Sequence, residues 1–579
     1  MTSSFNLLDE PWIQCAVGEE RRELSLREVF QNLCSIRRLS GDSPTQDYAI
    51  LRVLLAIFWR AHRKHPLLTG ARKQTRQWWT AMFLAATQGG EEELAKLTDP
   101  VLTYLEEHRD RFDLLDPVHP FMQVAGLDTV KGKYKSPREL IPDGKYDYFN
   151  RRAGRSLDEL EFAESTRFLI ALHSWDFSGR KPGAVGGPPV SSNGTTAPIG
   201  PGSCGRTGGV ILHGAQLAQT LMLNTPAGDV FGRHTKEDLP IWEQEPQGAA
   251  PRGVKHPAGP ADVLTWQTRR VRLFPEEGRV TSVLVSNGDR IEQKNQFADP
   301  MTGYRWSRNQ STKDTVVYMP ATHSAQRTLW RGIQALLVRE GAMVPKKSEF
   351  LPRQPATIAA LRDLIDAESP GLAEMRIGVE LVGMEYGDRE GVITGSIHEE
   401  IPLRLGVLME GTPRLATMVI EAAQATIRSA EDLGQLAGDL LRATGMDDKY
   451  NSEALNNIKK HTTDTAVHRL SDRFLRWLEG LSPNVDREAS RDAWFDIVEK
   501  FVKQEAAALC HTAGPKALIG KIVEDSKTGK EWLLTSATAL AMLRGSLRKN
   551  LPRFRNQERA AQTQTNTAAP DPQQIGATA

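Results

Sequence analysis

The sequence predicts an α+β fold: a large mixed N-terminal domain over residues 1–402, a C-terminal four-helix bundle over 403–557, and a disordered tail over 558–579. Three observations carry this expectation. Between about 263 and 402, stretches such as VLTWQTRRVRLFP and GVELVGMEYGDREGVITGSIHEEIPL alternate as strands do. After about 405 the composition changes. Four helical runs follow one another there: TPRLATMVIEAAQATIRSAEDLGQLAGDLL, SEALNNIKKHTTDTAVHRLSDRFLRWLEGL, SRDAWFDIVEKFVKQEAAALC and LTSATALAMLRGSLRKNL. Finally, 579 residues with 40% hydrophobic and 25% charged side chains can bury the cores of more than one domain.

The elements follow in order. The chain opens on a strand, and SLREVFQNL then forms a short helix with Ser25 as its N-cap. Tyr48 to His62 is apolar almost all round, as a buried helix is. QWWTAMFLAATQ places Trp78, Met82 and Phe83 at helical spacing, which marks a core face. The prolines of LDPVHPFMQVAGL forbid a long helix. Residues 128–165 read as a long polar loop, and the acidic run Asp158, Glu159, Glu161 and Glu164 reads as a solvated helix face. A segment rich in glycine and proline fills 179–209, and VILHGAQLAQTLMLN resumes a strand and a helix. Residues 225–260 are loop-rich. Beyond them VLTWQTRRVRLFP and GRVTSVLVSNGDRIEQ pair as strands with Asn287–Gly288 as a turn, and later strands join the same sheet. ATHSAQRTLWRGIQALLVR forms a helix between them.

Charge and motif counts exclude several classes. Lysine plus arginine is 73 against 72 acidic residues, a net charge of +1, so the chain is not a histone-like polycation, although basic patches remain available. The four cysteines, Cys15, Cys34, Cys204 and Cys510, have no partner at C-x2-C spacing, which removes the usual zinc site. No apolar run reaches the roughly 18 residues of a membrane helix, and the N-terminus lacks signal-peptide character, so a cytoplasmic protein without membrane contact is expected. There is no G-x-x-x-x-G-K-[ST], H-E-x-x-H or G-x-S-x-G motif, and the 13 histidines are scattered. No catalytic residue, cofactor or metal is therefore assigned.

The glycine-rich segment has two readings: a flexible linker, or a loop whose bare backbone approaches a phosphate chain or the minor groove. Arg180, Lys181 and Arg206 favour an anionic neighbour, and the apolar elements on both sides argue against a linker. In the 128–155 loop Lys131, Lys133, Lys135, Lys145, Arg151, Arg152 and Arg155 interleave with Tyr134, Tyr146, Tyr148 and Phe149. That mixture suits phosphate neutralisation with base stacking, and equally suits a solvated loop. Arg269, Arg270 and Arg272 lie on a candidate strand, and Arg544, Arg548, Lys549, Arg553 and Arg555 end the last helix.

FNLLDEPWIQ at 5–14, HPFMQ at 119–123 and the glycine-rich segment running into LHGAQLAQTLMLN resemble the CasA-type large subunit of the type I-E CRISPR surveillance complex, Cascade. The similarity reaches to about residue 557. It implies a non-catalytic subunit that recognises the short motif beside the target (the PAM) in double-stranded DNA. It also implies that the subunit starts unwinding and R-loop formation and helps recruit a helicase-nuclease. The other Cascade subunits with their guide RNA would be its partners. By this resemblance the loop near the guide and the PAM is 145–164, with Phe149 as lead aromatic followed by Asn150, Arg151, Arg152 and Arg155. The glycines that meet the PAM backbone fall at Gly183, Gly186 and Gly187 in a first alignment and at Gly200 and Gly202 in a second. The lysine that probes the minor groove is Lys294, ahead of Trp306. The wedge that splits the first base pairs lies at Arg389, Glu390 and Gly391. The family typically carries a glutamine preceded by asparagine there. YGDREGVI departs from that pattern, with Glu390 in the glutamine's place and Arg389 available to share the role. Some members bind zinc through cysteine pairs that this chain lacks. Two other functions fit the bare sequence: an enzyme holding a nucleotide in the glycine-rich loop, and an assembly scaffold that does not touch DNA.

Overall fold

A computed structural model describes residues 4–553 apart from 69–71, 143–157, 227–234, 254–255, 324–332, 338–351, 365–369, 409–412, 447, 483 and 525–530. The chain divides into two compact units, residues 1–325 with 335–412, and residues 326–334 with 413–579.

The first unit begins with β1 (Ile13–Val17), β2 (Glu20–Leu24), α1 (Leu26–Gln31), β3 (Ile36–Leu39), α2 (Pro44–His62), α3 (Arg72–Gln88), α4 (Glu91–Glu107) and α5 (Phe162–Trp175). Next come β4 (Lys181–Pro182), β5 (Thr195–Thr196), β6 (Gly209–His213), α6 (Leu217–Asn224), α7 (Pro260–Leu264), β7 (Arg269–Glu276) and β8 (Arg279–Asn287). After these lie β9 (Tyr304–Trp306), β10 (Tyr318–Pro320), the last three residues of α8 (Ile333–Leu337), α9 (Ala356–Leu364), α10 (Pro370–Ala373), β11 (Arg376–Tyr386) and β12 (Ile393–Arg404).

Ser25 caps α1 as expected. Its hydroxyl accepts the Glu28 N–H while the Glu28 carboxylate accepts the Ser25 N–H at 2.8 Å, a complete capping box. The apolar run 48–62 becomes the centre of the core: α2 packs against α4, α5, α6, α7 and β11. It buries even Arg52, whose Nη1 donates to Asp299 Oδ2 at 2.9 Å and whose Nη2 donates to the Val263 carbonyl at 2.9 Å. Trp78 and Phe83 are buried in the core, and Met82 is half-buried.

Three sequence expectations need correction. The β7–β8 hairpin turns at Glu277–Gly278, where both residues have positive φ (50° and 79°), as a tight two-residue hairpin requires. Asn287–Gly288 instead ends β8, with the Gly288 N–H donating to the Thr268 carbonyl. The strands after 263 do not share one sheet. β7 and β8 pair together, β9 pairs with β10, and β11 lies between β12 and β6 in a three-stranded antiparallel sheet. Alternation reports which face of a strand is buried and carries no information on which neighbour completes its ladder. Finally, α5 starts only at Phe162, so Asp158, Glu159 and Glu161 precede it instead of lining its face, and Glu164 sits in its first turn, where a carboxylate favours the helix dipole.

The second unit contains α11 (Pro413–Ala443), α12 (Asp448–Glu479), α13 (Arg487–Ile519), β13 (Lys521–Glu524), β14 (Glu531–Leu534) and α14 (Ser536–Asn550). The four anticipated helices are present, and α11 packs against the other three. Leu470, Phe474 and Trp494 are fully buried between them. Not anticipated is the β13–β14 hairpin between the last two helices, which leaves Ile522 and Leu533 exposed near Leu518 and Ile519 at the end of α13. No described helix is long and apolar enough to cross a membrane.

Candidate nucleic-acid interface

The glycine-rich segment is organised from its first residues by a buried charge cluster. α5 ends at Trp175, and Asp176 follows with its carboxylate 2.7 Å from Lys181 Nζ and hydrogen-bonded to Arg269 Nε. Burial alone would raise the Asp176 carboxyl, but Lys181 and Arg269 outweigh it and hold the group below its ordinary range. Lys181 is therefore an internal counter-ion, as is Arg270, which pairs with Asp289 at 2.9 Å. Of the cations that flank the segment, Arg180 is exposed.

The two glycine alignments fall in different surroundings. Residues 184–187 form an outward turn: Gly187 N–H donates to the Ala184 carbonyl at 3.0 Å, Val185 is 60% exposed, and Gly186 has φ +77° with open space where a Cβ would project. The turn is held against the neighbouring loop by the Val130 N–H donating to Gly183 and the Val185 N–H donating to Asp128. Gly183 itself is buried. Gly200 and Gly202 are buried as well. A Cβ on Gly202 would lie 2.4 Å from the Ser174 carbonyl carbon and the Trp175 nitrogen. The N–H groups of Gly202, Ser203 and Cys204 cap the end of α5 through the carbonyls of Asp176, His173 and Ser174. Both glycines serve the packing of this unit, and the exposed backbone belongs to the Gly186 turn.

The long β11–β12 hairpin turns at Asp388–Glu390, with Gly391 after it, so the residues expected to form the wedge lie at its tip. Arg389 and Glu390 both adopt left-handed backbone (φ 50° and 58°), which compresses the turn and separates their side chains. Arg389 points outward with its side chain 92% exposed. Glu390 is drawn the other way, into a two-pronged ion pair with Arg206 of the glycine-rich segment: Nε to Oε1 at 2.7 Å and Nη2 to Oε2 at 2.6 Å. The carboxylate raises the Arg206 guanidinium above its ordinary range. The Glu390 carbonyl accepts the Ser178 N–H at 2.8 Å, and the Tyr386 hydroxyl donates to the Trp175 carbonyl at 2.7 Å. The tip is thus seated on the turn after α5 and on residues 200–206. Sequence reasoning placed both the segment and the tip but missed their pairing, because 184 residues separate Arg206 from Glu390.

Lys294 is exposed beside Asn295, whose side chain clasps β10 by accepting the Tyr318 N–H at 2.7 Å. Lys131, Lys133 and Lys135 are exposed, and Lys131 donates to the Ser192 carbonyl at 3.2 Å, which joins the basic loop to the glycine-rich segment. Tyr134 is held against Phe274 with ring centres 4.2 Å apart. Phe149, Asn150, Arg151, Arg152 and Arg155 lie outside the described residues. In the second unit Arg544, Arg548 and Lys549 are exposed, whereas Arg553 pairs with Asp496 and Glu499. Among the described residues no group of three or more His, Cys, Asp or Glu side chains is placed to hold a metal ion.

Comparison with known proteins gives this architecture its family. Residues 6–504 match the family of CRISPR-associated protein Cse1. A CasA/Cse1 protein of Thermus thermophilus is 28% identical over 517 residues, covering 85% of this chain and 89% of its own. The crystal structure of Thermobifida fusca Cse1 superposes with a TM-score of 0.80 at 32% identity over 95% of this chain and 98% of that one. A chain of a CRISPR RNA-guided surveillance complex shares the fold, with a TM-score of 0.60 at 18% identity over 87% of this chain and 99% of that one. The chain belongs to the CasA/Cse1 family of CRISPR-associated proteins, as its resemblance to the type I-E large subunit implies.

Proposed function

We propose that the protein is the non-catalytic large subunit of an RNA-guided surveillance complex, and that it recognises the PAM in double-stranded DNA and begins strand separation. The observation that carries this reading is the seating of the β11–β12 tip on the glycine-rich segment, which puts an exposed arginine on a braced turn. In this reading the Gly186 turn, with Gly187, lies along the PAM backbone where a larger residue would hold the phosphates away. Lys294 reaches the minor groove, and Arg389 with Gly391 occupies the space of the first opened pair. The loop at 149–155 supplies phosphate contacts and stacking. A motif read from the minor groove is discriminated only coarsely, because donor and acceptor patterns there are degenerate. Guide pairing supplies the rest of the specificity. The partners are the other complex subunits with guide RNA, the target duplex and the helicase-nuclease, all in the cytoplasm.

The test is a gel shift of the assembled complex, with and without this chain, on matched and PAM-mutant duplexes. Binding that needs both the chain and the PAM, and that falls steeply with salt, is expected. Equal binding without the chain would leave the scaffold reading. Tight binding of a free nucleotide by the isolated chain would favour the enzyme reading.

A further inference from the structure

We propose that Arg206 is a positioning residue for the hairpin tip: by holding Glu390 it decides which side chain the tip presents, and so makes Arg389 the outward one. The inference rests on the reading of the tip as the element that meets duplex DNA, but its physical basis is local. Two consecutive non-glycine residues stand in left-handed backbone at Arg389 and Glu390. A side chain with a Cβ disfavours that conformation, so the turn persists only where its surroundings over-determine it. The arms supply part of that support through the Gly387 N–H donating to Val392 at 2.8 Å and the Glu390 N–H donating to Gly387 at 3.0 Å. The remainder comes from outside the hairpin, from the Ser178 N–H on the Glu390 carbonyl and from both prongs of Arg206 on its carboxylate.

Arg206 is itself fixed for this task. It follows Gly205, where a Cβ would lie 2.7 Å from the Tyr386 hydroxyl, so the segment runs directly against the last residue of β11. The guanidinium plane meets the carboxylate along two parallel hydrogen bonds, a geometry a lysine ammonium cannot reproduce. The pairing also settles the electrostatics of a tip in which a carboxylate stands beside an arginine. With Glu390 turned to Arg206, the charge left projecting beside Asp388 is the Arg389 guanidinium, 3.9 Å from the Asp388 carboxylate. A glutamate at the tip is thereby reconciled with DNA contact: its charge is neutralised by Arg206 at a partly exposed pair.

The test uses hydrogen exchange on the full chain and strand opening in the assembled guide complex. In Arg206→Gln, the amides of Glu390 and Gly391 should exchange about fivefold faster than in the wild type, the scale of one partly exposed ion pair, while amides in the arms of β11 and β12 keep their rates. Arg206→Lys should fall between the two. Charge reversal at both positions, Arg206→Glu with Glu390→Arg, should restore slow exchange, which a merely space-filling role of Arg206 would not do. In the complex, Arg206→Gln should slow opening beside the PAM by a similar factor, and the reversed pair should recover it, because Arg389 would again be the outward charge. Unchanged exchange in Arg206→Gln, or exchange in the reversed pair as fast as in the single variant, overturns the proposal. If the wild-type complex does not open duplex at all, the functional reading fails while the exchange result still decides the role of Arg206.

Discussion

Lys181 Nζ lies 2.7 Å from Asp176 Oδ2, and both side chains are almost wholly buried. A cation that in the sequence looks like a phosphate ligand is therefore an internal partner. Removing either side of a buried pair leaves an uncompensated charge and typically destabilises by about 3–5 kcal/mol. Asp176→Ala is expected to do so, since it strands Arg269 as well, and chemical denaturation would show it. Lys181→Ala should leave the salt dependence of duplex binding unaltered, whereas loss of a phosphate contact would flatten it.

Gly186 and Gly202 should respond oppositely to substitution. Gly202→Val drives its Cβ into the backbone of Ser174 and Trp175 and should lower the melting temperature sharply. Gly186→Asn, a residue that tolerates left-handed backbone, should keep the fold and weaken duplex binding by the complex. Wild-type affinity in Gly186→Asn would remove this turn from the DNA interface.

The triple replacement Arg151→Ala, Arg152→Ala and Arg155→Ala should flatten the slope of log affinity against log salt by up to about 0.9 per lost phosphate contact. Phe149→Ala should weaken target engagement with the slope unchanged, because stacking involves no ion release. A triple variant with the wild-type slope would take these arginines out of contact with phosphate.

Acid should destabilise the first unit. His62 and His173 are buried, donate from Nε2 to the Leu97 and Met122 carbonyls, and are pushed down to about 4, mainly by burial. The unfolded chain takes up protons on these rings first, so their contribution is intact above about pH 6.5 and is lost as pH falls towards 4. Asp47, raised to about 7 by burial, acts in the opposite sense, since its protonated form suits the fold. Asp176, Glu243 and Glu380 are held below their ordinary range, so their contribution is intact above about pH 4.5 and is lost only on further acidification. The melting temperature should fall between pH 6.5 and 4.5, and a flat or rising profile would contradict this balance.

In the second unit, Trp494 stacks on Trp477 with ring centres 5.6 Å apart, meets Phe474 edge-on at 5.3 Å, and donates from its indole N–H to Thr426 at 2.9 Å. Trp494→Ala should destabilise by about 3–5 kcal/mol, read by denaturant unfolding followed through tryptophan fluorescence.

What the sequence made legible follows the range of the physics involved. Helices were readable because apolar periodicity and caps are local: Ser25, the helix at 48–62 (which the structure extends back to Pro44) and the four C-terminal helices were found this way. The β13–β14 hairpin was readable in principle, since KIVE and EWLL flank a polar DSKTGK, but helical runs on both sides masked it. The Glu277–Gly278 turn lost to Asn287–Gly288 because both dipeptides suit a turn and only strand pairing chooses between them. The partners of Lys181, Arg269, Arg270 and Glu390 were not readable at all. A basic residue looks the same in sequence whether it faces phosphate or a buried carboxylate, and the difference is made by contacts across many residues of chain.

The β11–β12 ladder has a consequence for how this protein can change through descent. Eleven residues of β11 pair along β12 from Arg376–Arg404 to Tyr386–Ile393, with one irregularity beside Tyr386. Side chains alternate between the faces of such a ladder, so losing a single residue from one arm would invert every side chain beyond it. A residue gained or lost in one arm alone has to be absorbed by a bulge, as the irregularity beside Tyr386 absorbs Thr394, whereas residues gained or lost in matched pairs keep the ladder regular. A gain of two residues in each arm would carry the tip about 7 Å farther out and keep it the same way up. A different reach at this point comes without a further bulge in whole steps of that size.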